Sequence, residues 1–192
     1  MFNNFTNMPY IPYNIIAYLV QNSKAENFWK LLYYPNYNAL SQPNLTMAQK
    51  SSLIWKNQDR QENYNIYLTY LVSNMQLDAK TVLKIYQYEN NPINKIKSTL
   101  NYEFDILMGA KIAMVDYNGI PCNRAEAIEA EVLNCLNGAD VAGAGLLQFN
   151  ADLDGGHIAK SRFNIGNNST FTGISFIMSV QWVGVRNDTE CS

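Results

Sequence analysis

Asn150, Asp152 and Asp154 stand at alternate positions in the stretch NADLDGGHIAKS, and Gly155 follows them. Oxygen ligands two residues apart, then a sharp glycine turn, is how an EF-hand loop wraps a hard cation. The position that should carry the closing bidentate glutamate is Ser161, and His157 takes the eighth place. Without that carboxylate the shell lacks two oxygens and a charge, so the stretch reads as a polar loop between strands. Two other chemistries use the same residues. Asp152 and Asp154 could be the paired carboxylates of a glycosidase-like site, and His157 could act as base toward Ser161 or a cysteine. Beside a glycine turn, however, such residues more simply keep a loop solvated.

The remaining motifs are no more demanding. NGADVAGAG (137–145) is glycine-rich, but no Lys-Ser/Thr follows and it runs into a strand. A phosphate cradle needs a helix N-terminus there, so a helix stop and flexible connection is expected. Cys122, Cys135 and Cys191 form no CxxC pair, and one histidine cannot complete a zinc set with them; they are expected as reduced, structural thiols. Tyr13, Tyr18, Phe28, Trp29, Tyr33 and Tyr34 could stack bases or sugars, yet at helical spacing without basic neighbours they suit a core or a protein contact. No catalytic, cofactor-binding or metal-ligating residue is assigned, and no cofactor is expected.

The bulk numbers narrow the classes further. The chain has 192 residues, 47% hydrophobic and only 16% charged, enough for one packed core with a smaller helical attachment. Asn, Tyr, Ser, Thr and Gln make up much of the uncharged remainder, a surface of amides that suits extended subunit contacts; AT-rich coding DNA inflates Asn and Tyr as well. A net charge of −2 with no basic run gives no electrostatic grip on nucleic acid. The most apolar segment, ISFIMSVQWVGV, falls short of the ~18 residues of a membrane span. The N-terminus lacks the basic flank and unbroken apolar run of a signal peptide, so the chain is expected to be made in the cytoplasm.

The elements that would position these residues follow from periodicity. IPYNIIAYLVQN puts Ile15, Ile16, Leu19 and Val20 on one helical face. Ser23 and Glu26 form a capping box before KAENFWKLLYY, and Thr46 and Gln49 another before MAQKSSLIWK, whose Leu53, Ile54 and Trp55 can turn inward. Strands are expected at 64–72, 81–88 and 99–108. In the last, Leu100, Tyr102, Phe104, Ile106 and Met108 alternate with Asn101, Glu103 and Asp105, and the run continues to Tyr117 past a bulge or bend at Gly109. Helix 123–138 has Asn123 as cap, Ala125, Ile128, Val132, Cys135 and Leu136 as buried stripe, and Gly138 as stop. Residues 145–150 form a further strand, and 161–183 hold two more. The fold expected is α+β: an N-terminal helical segment followed by a mostly antiparallel sheet with one long amphipathic helix packed on it. The division is a helical extension at 1–60, an α+β domain at 61–185 and a tail at 186–192. The helices with Trp29 and Trp55 are expected to pack as a satellite core or on a neighbour, and the 138–145 link and 150–161 loop to order on contact with a partner.

From about residue 64 to 183 this order resembles that of bacteriophage neck proteins, the small head–tail connector, tail-completion and tail-terminator proteins. The likeness is carried by TVLKIYQYENNP, TLNYEFDILMGAKIAMVDYNG, the helix ending EVLNCLNG, GAGLLQF and FTGISFIMSVQW. It is a likeness of arrangement, without a diagnostic motif, and the simplest members lack some 60 residues of leading helices. It implies a non-enzymatic virion protein whose copies form a ring between portal and tail. Its partners would be itself and other neck, portal or tail proteins, with DNA passing through unbound and no membrane involved. Two other classes stand beside it: a binding protein directed at a host partner, and a small hydrolase using Asp152, Asp154 and His157.

Overall fold

The computed structural model describes residues 5–56, 63–70, 80–93, 97–149, 160–165 and 171–183. The fold is α+β, as expected: short helices, then a mostly antiparallel sheet with a long helix against it. A 3-10 turn leads into α1 (Ile11–Gln21), whose first turn carries Pro12, where a missing N–H costs nothing. Ile11, Ile15, Ile16 and Leu19 are buried along it. The Ser23–Glu26 capping box does not form. Asn22 accepts from the Lys24 amide at 3.0 Å and caps a 3-10 turn, and α2 (Glu26–Tyr33) continues from it without a side-chain cap. Glu26 is used otherwise, in an ion pair with Lys50, whose ammonium sits 5.9 Å from the Trp29 ring centroid. The second box is present: the Thr46 hydroxyl accepts from the Gln49 amide and opens α3 (Met47–Ser52).

The sheet is built on three long strands. β2 (Thr81–Pro92), β3 (Lys97–Gly109) and β9 (Phe171–Val183) are antiparallel neighbours, with β3 in the middle and paired to β9 from Lys97↔Val183 to Gly109↔Phe171. Of the strand expected at 64–72, residues 71 and 72 lie outside the described residues, and within 64–70 the strand is β1 (Ile66–Tyr67), parallel to β2 at Leu83 and Lys84. On the far side β9 pairs with β7 (Gly145–Phe149) and β8 (Lys160–Ile165), and β7 with β6 (Asp140–Val141). The run expected to continue through Gly109 breaks there instead. A 3-10 turn at Ala110–Ile112 takes the chain off the sheet, and among the described residues β4 (Met114–Tyr117) and β5 (Ile120–Asn123) pair only with each other.

Alternation in β3 does the sorting that its sequence implies. Leu100, Tyr102, Phe104, Ile106 and Met108 enter the core, where Phe104 stacks on Phe176 at 5.0 Å. Helix α4 (Arg124–Leu136) covers this face, capped by Asn123, which accepts from the Ala125 amide at 2.8 Å, and followed by Gly138 at φ +76°. Its stripe Ala125, Ile128, Val132, Cys135 and Leu136 is buried against α2 and β3. The apolar residues of α1 and α2 join the same cluster, so Ile15, Phe28 and Trp29 share one core with Ile85, Phe104, Phe176 and Ile128 and do not form a satellite. Each such fully buried side chain contributes roughly 1.5–3 kcal/mol. Trp55 packs on a smaller cluster of Tyr67, Val82 and Leu107. Among the described residues no helix is long and apolar enough to cross a membrane.

Candidate interaction site: a braced hairpin

Where the chain leaves the sheet it forms the β4–β5 hairpin, with Tyr117 opposite Ile120 and Val115 opposite Cys122. The two-residue turn is Asn118-Gly119, at φ +57° and +83°. Positive φ at both central positions matches the right-handed twist of the strands, and Asn-Gly is the pair that tolerates it. The Asp116 carboxylate locks the turn by accepting from the Gly119 amide at 2.7 Å. Val115 is buried beneath the hairpin, while Ile120 is 67% exposed and Met114 50%. Tyr37, 49% exposed, lies alongside, because its carbonyl accepts from the Asp116 amide at 2.8 Å. Ile120 therefore stands in water beside the turn, Met114 is exposed at the other end of the hairpin, opposite Asn123, and Tyr37 lies beside Asp116 between them.

The base of the hairpin is fixed by Arg124, which has no exposed surface. Its Nε donates to the Ile112 carbonyl at 2.8 Å. One terminal nitrogen donates to Leu31 and Tyr34 at 3.0 and 2.7 Å, the other to Pro35 and Asn36 at 3.1 and 2.7 Å. All five guanidinium N–H groups thus meet carbonyls, and no carboxylate is needed. Leu31 and Tyr34 belong to the C-terminal end of α2, where unpaired carbonyls and the helix dipole favour a cation. Burial lowers the Arg124 pKa to about 10, which leaves it charged at neutral pH. One side chain thereby ties α2 and the loop after it to the turn before β4. The Arg124 amide adds a bond to the Ala113 carbonyl at 2.7 Å.

A second brace lies along α4. Tyr117 donates to Glu131 at 2.7 Å, and the Asn27 side-chain amide donates to the same oxygen at 3.1 Å. Burial, then the bond and charge of Glu131, push the Tyr117 phenol up to about 12, so it remains a donor. Cys122 is raised by burial and by Glu126 and Asp116, and Cys135 by burial and Glu131. Thiols with raised pKa are poor nucleophiles, which fits the structural role expected of both; Cys191 lies outside the described residues.

The other sequence candidates fall elsewhere. Asn150, Asp152, Asp154, Gly155 and His157 lie outside the described residues. The link expected to be flexible at 138–145 is folded. Gly138 donates to Leu147, Ala144 to Val141, and Leu147 to Ala139. Gly143 sits at φ +75° against Asn14. The aromatic residues do not form one stacking surface: Phe28 and Trp29 are buried, while Tyr13 and Tyr33 are exposed. Asn101, Glu103 and Asp105 occupy the second face of the sheet in a self-satisfied ladder. Tyr86 and Lys84 contact Asp105 at 3.1 and 3.0 Å, Ser175 donates to Glu103, and Ser179 donates to Asn101 at 2.7 Å. Among the described residues no group of three His, Cys, Asp or Glu is placed to hold a metal.

Sequence reasoning missed both parts of this site. The hairpin signal was present as DYNGIP, an Asn-Gly between apolar runs, but it was absorbed into the long strand. Nothing in the local pattern marks Arg124, whose partners lie up to 93 positions away. The YomW family model matches residues 25–180, and the chain belongs to that family. The name is phage-derived and consistent with a phage origin; it specifies no neck role. No curated protein matches the chain.

Proposed function

We propose that this member of the YomW family is a structural protein of a phage virion, placed at the neck or tail junction. Copies would close into a ring that joins the portal side of the head to the tail and continues the DNA channel. The observation that carries the reading is the braced hairpin. An exposed apolar tip at Ile120, with Met114 and Tyr37 exposed farther along the same hairpin, is already rigid and loses little conformational freedom on docking, so more of its buried area is left as affinity. Tyr and Met are enriched at interfaces and charges depleted, as they are in this chain. A tip on one subunit meeting a different surface on the next is a heterologous contact, the kind that closes into rings. A net charge of −2 suits a channel through which DNA slides unheld.

The role asks for no catalysis, cofactor or metal. Its partners are further copies and other neck, portal or tail proteins. A host-directed binding protein could use the same tip, and location separates the two. Gold-labelled antibody against the protein, applied to phage particles and viewed by negative stain, is expected at the head–tail joint. Unlabelled particles from a lysate rich in the protein would remove the virion reading and leave the binder. In the purified protein, Ile120→Asp should lower the oligomer fraction in sedimentation velocity without changing the circular dichroism; unaltered assembly would take the hairpin out of the contact.

A further inference from the structure

At the C-terminal end of α2 lies a cleft of about 430 Å³. Leu32, Tyr33, Pro35 and Leu53 form its apolar walls, and Ser52, Asn63, Asn65, Lys80 and Thr81 its polar ones. Its volume falls in the ~300–1,000 Å³ range of small-molecule sites. The informative residue is Asn65, only 9% exposed. Its amide donates to Leu53 at 3.0 Å and its carbonyl accepts from Leu83 at 2.7 Å. Its side-chain nitrogen donates to the carbonyls of Leu32 and Thr81 at 3.0 and 2.8 Å. Two carbonyl neighbours fix the amide orientation, because the oxygen could not take the nitrogen's place. What remains is Oδ1, which has no partner among the described residues.

We infer that this cleft is a binding site for a neutral planar ring that carries N–H donors, of the size of a nucleoside. The charges in the lining narrow the ligand. The cation of the lining, Lys80, already has a partner of its own, and an anion would otherwise face Asn65 Oδ1 and the Ser52 oxygen, whose own proton goes to Gln49 at 2.7 Å, so acceptors would meet acceptors. A cation would meet Lys80 in the lining, and the C-terminal end of α2 already has its cation in Arg124. A neutral donor fits. Tyr33, 40% exposed, with Pro35, Leu32 and Leu53, offers the apolar walls that favour a flat ring over a flexible chain. An acceptor fixed by the backbone and by two side-chain bonds loses no freedom when a ligand arrives, and such a site rejects an analogue that lacks the donor.

The test keeps the protein intact and alters the ligand. Adenosine is titrated into 15N-labelled full-length protein, and binding is followed by heteronuclear NMR, with N6,N6-dimethyladenosine as the analogue that has lost both exocyclic N–H groups. Adenosine is expected to move the Asn65 side-chain amide and the amides of Tyr33, Ser52 and Asn63. The dimethyl analogue should bind at least tenfold more weakly, as should adenosine to Tyr33→Ala, which leaves the bonds of Asn65 untouched. Equal binding of the two ligands overturns the inference, as does the absence of shifts at these residues with adenosine, cytidine and guanosine up to millimolar concentration.

Discussion

Replacing Arg124 by Met keeps the bulk of the side chain and removes its five donors. A hydrogen bond to a charged group nets ~1.5–3 kcal/mol, so five would give about 7–15 kcal/mol if they added. They do not add, because taking a guanidinium out of water costs several kcal/mol. The carbonyls also fare differently. Bonds to Leu31 and Ile112 are fully buried, whereas those to Tyr34, Pro35 and Asn36 are only partly so. Water can replace the partner at the second group; the first two oxygens are orphaned at ~1–3 kcal/mol each. The balance is a loss of about 4 kcal/mol, a large share of the ~5–15 kcal/mol of a whole domain. Arg124→Lys should rescue little, since one ammonium cannot span carbonyls from Ile112 to Asn36. Urea unfolding measures the loss, and native-state hydrogen exchange locates it: the Asp116 amide, bonded to Tyr37, should lose protection beyond the global change. A loss below about 1 kcal/mol with the Asp116 amide still protected would refute the reasoning.

Further outcomes follow from single side chains. Tyr102 is 1% exposed and its hydroxyl has no partner among the described residues, so Tyr102→Phe should leave stability unchanged or raise it by about 1 kcal/mol in urea unfolding; a loss above that would show a hidden bond. Gly119→Val, at φ +83° in the hairpin turn, should destabilise by about 1–2 kcal/mol, and an unchanged midpoint would deny the turn geometry. Tyr117 has a folded pKa of about 12 against 10.0 for the free phenol. Its protonated form is therefore favoured in the fold, and that contribution is full below pH 10 and lost as pH rises toward 12. Thermal melts should fall over that window, less steeply in Tyr117→Phe; parallel curves would exclude Tyr117 as a source. Ile128→Ala, in the buried stripe of α4, should cost ~2–5 kcal/mol, and a smaller loss would mean that α4 is not core.

What could be read in the sequence was what local periodicity carries. Five alternations in β3 and the 3.6-residue stripe of α4 each specify a face, and both faces are buried as the pattern requires. The Thr46–Gln49 box formed because nothing competed for its side chains, whereas Glu26, in the equivalent place, found Lys50, 24 positions away. Parity fails at a different point. It says that Asn101, Glu103 and Asp105 share a face, but not that a charged face is buried. The hairpin is lost for a third reason: the apolar run of β3 continues through Ile112 to Val115 in sequence, and only the shift of apolar phase at Val115 and Tyr117, the Asn-Gly turn and the 3-10 turn at Ala110–Ile112 show that the chain has left the sheet.

The buried ladder on that second face bears on how β2, β3 and β9 keep one register. Asp105 is opposite Lys84 on one side and Ser175 on the other, and Asn101 is opposite Ser179. A slip of one residue turns every side chain of a strand to the other face. A one-residue slip of β3 would drive Glu103 and Asp105 among Ile85, Phe176 and Ile128 and leave their partners unpaired. A slip of two keeps the faces but breaks the bonds of Tyr86, Lys84, Ser175 and Ser179 together. Apolar alternation forbids the first error and is nearly indifferent to the second, since one buried aliphatic pair packs much like the next. The polar pairs are what distinguish the two. Hence Asp105→Asn, which keeps an acceptor for Tyr86 but removes the charge paired with Lys84, should lower stability modestly and leave the cross-strand contacts between Phe104 and Phe176 in place by NMR. Asp105→Val with Lys84→Met should approach the parent in stability while broadening those same resonances, because the register then rests on packing alone. Sharp, native-like contacts in the double variant would mean that packing suffices and that the ladder does not set the register.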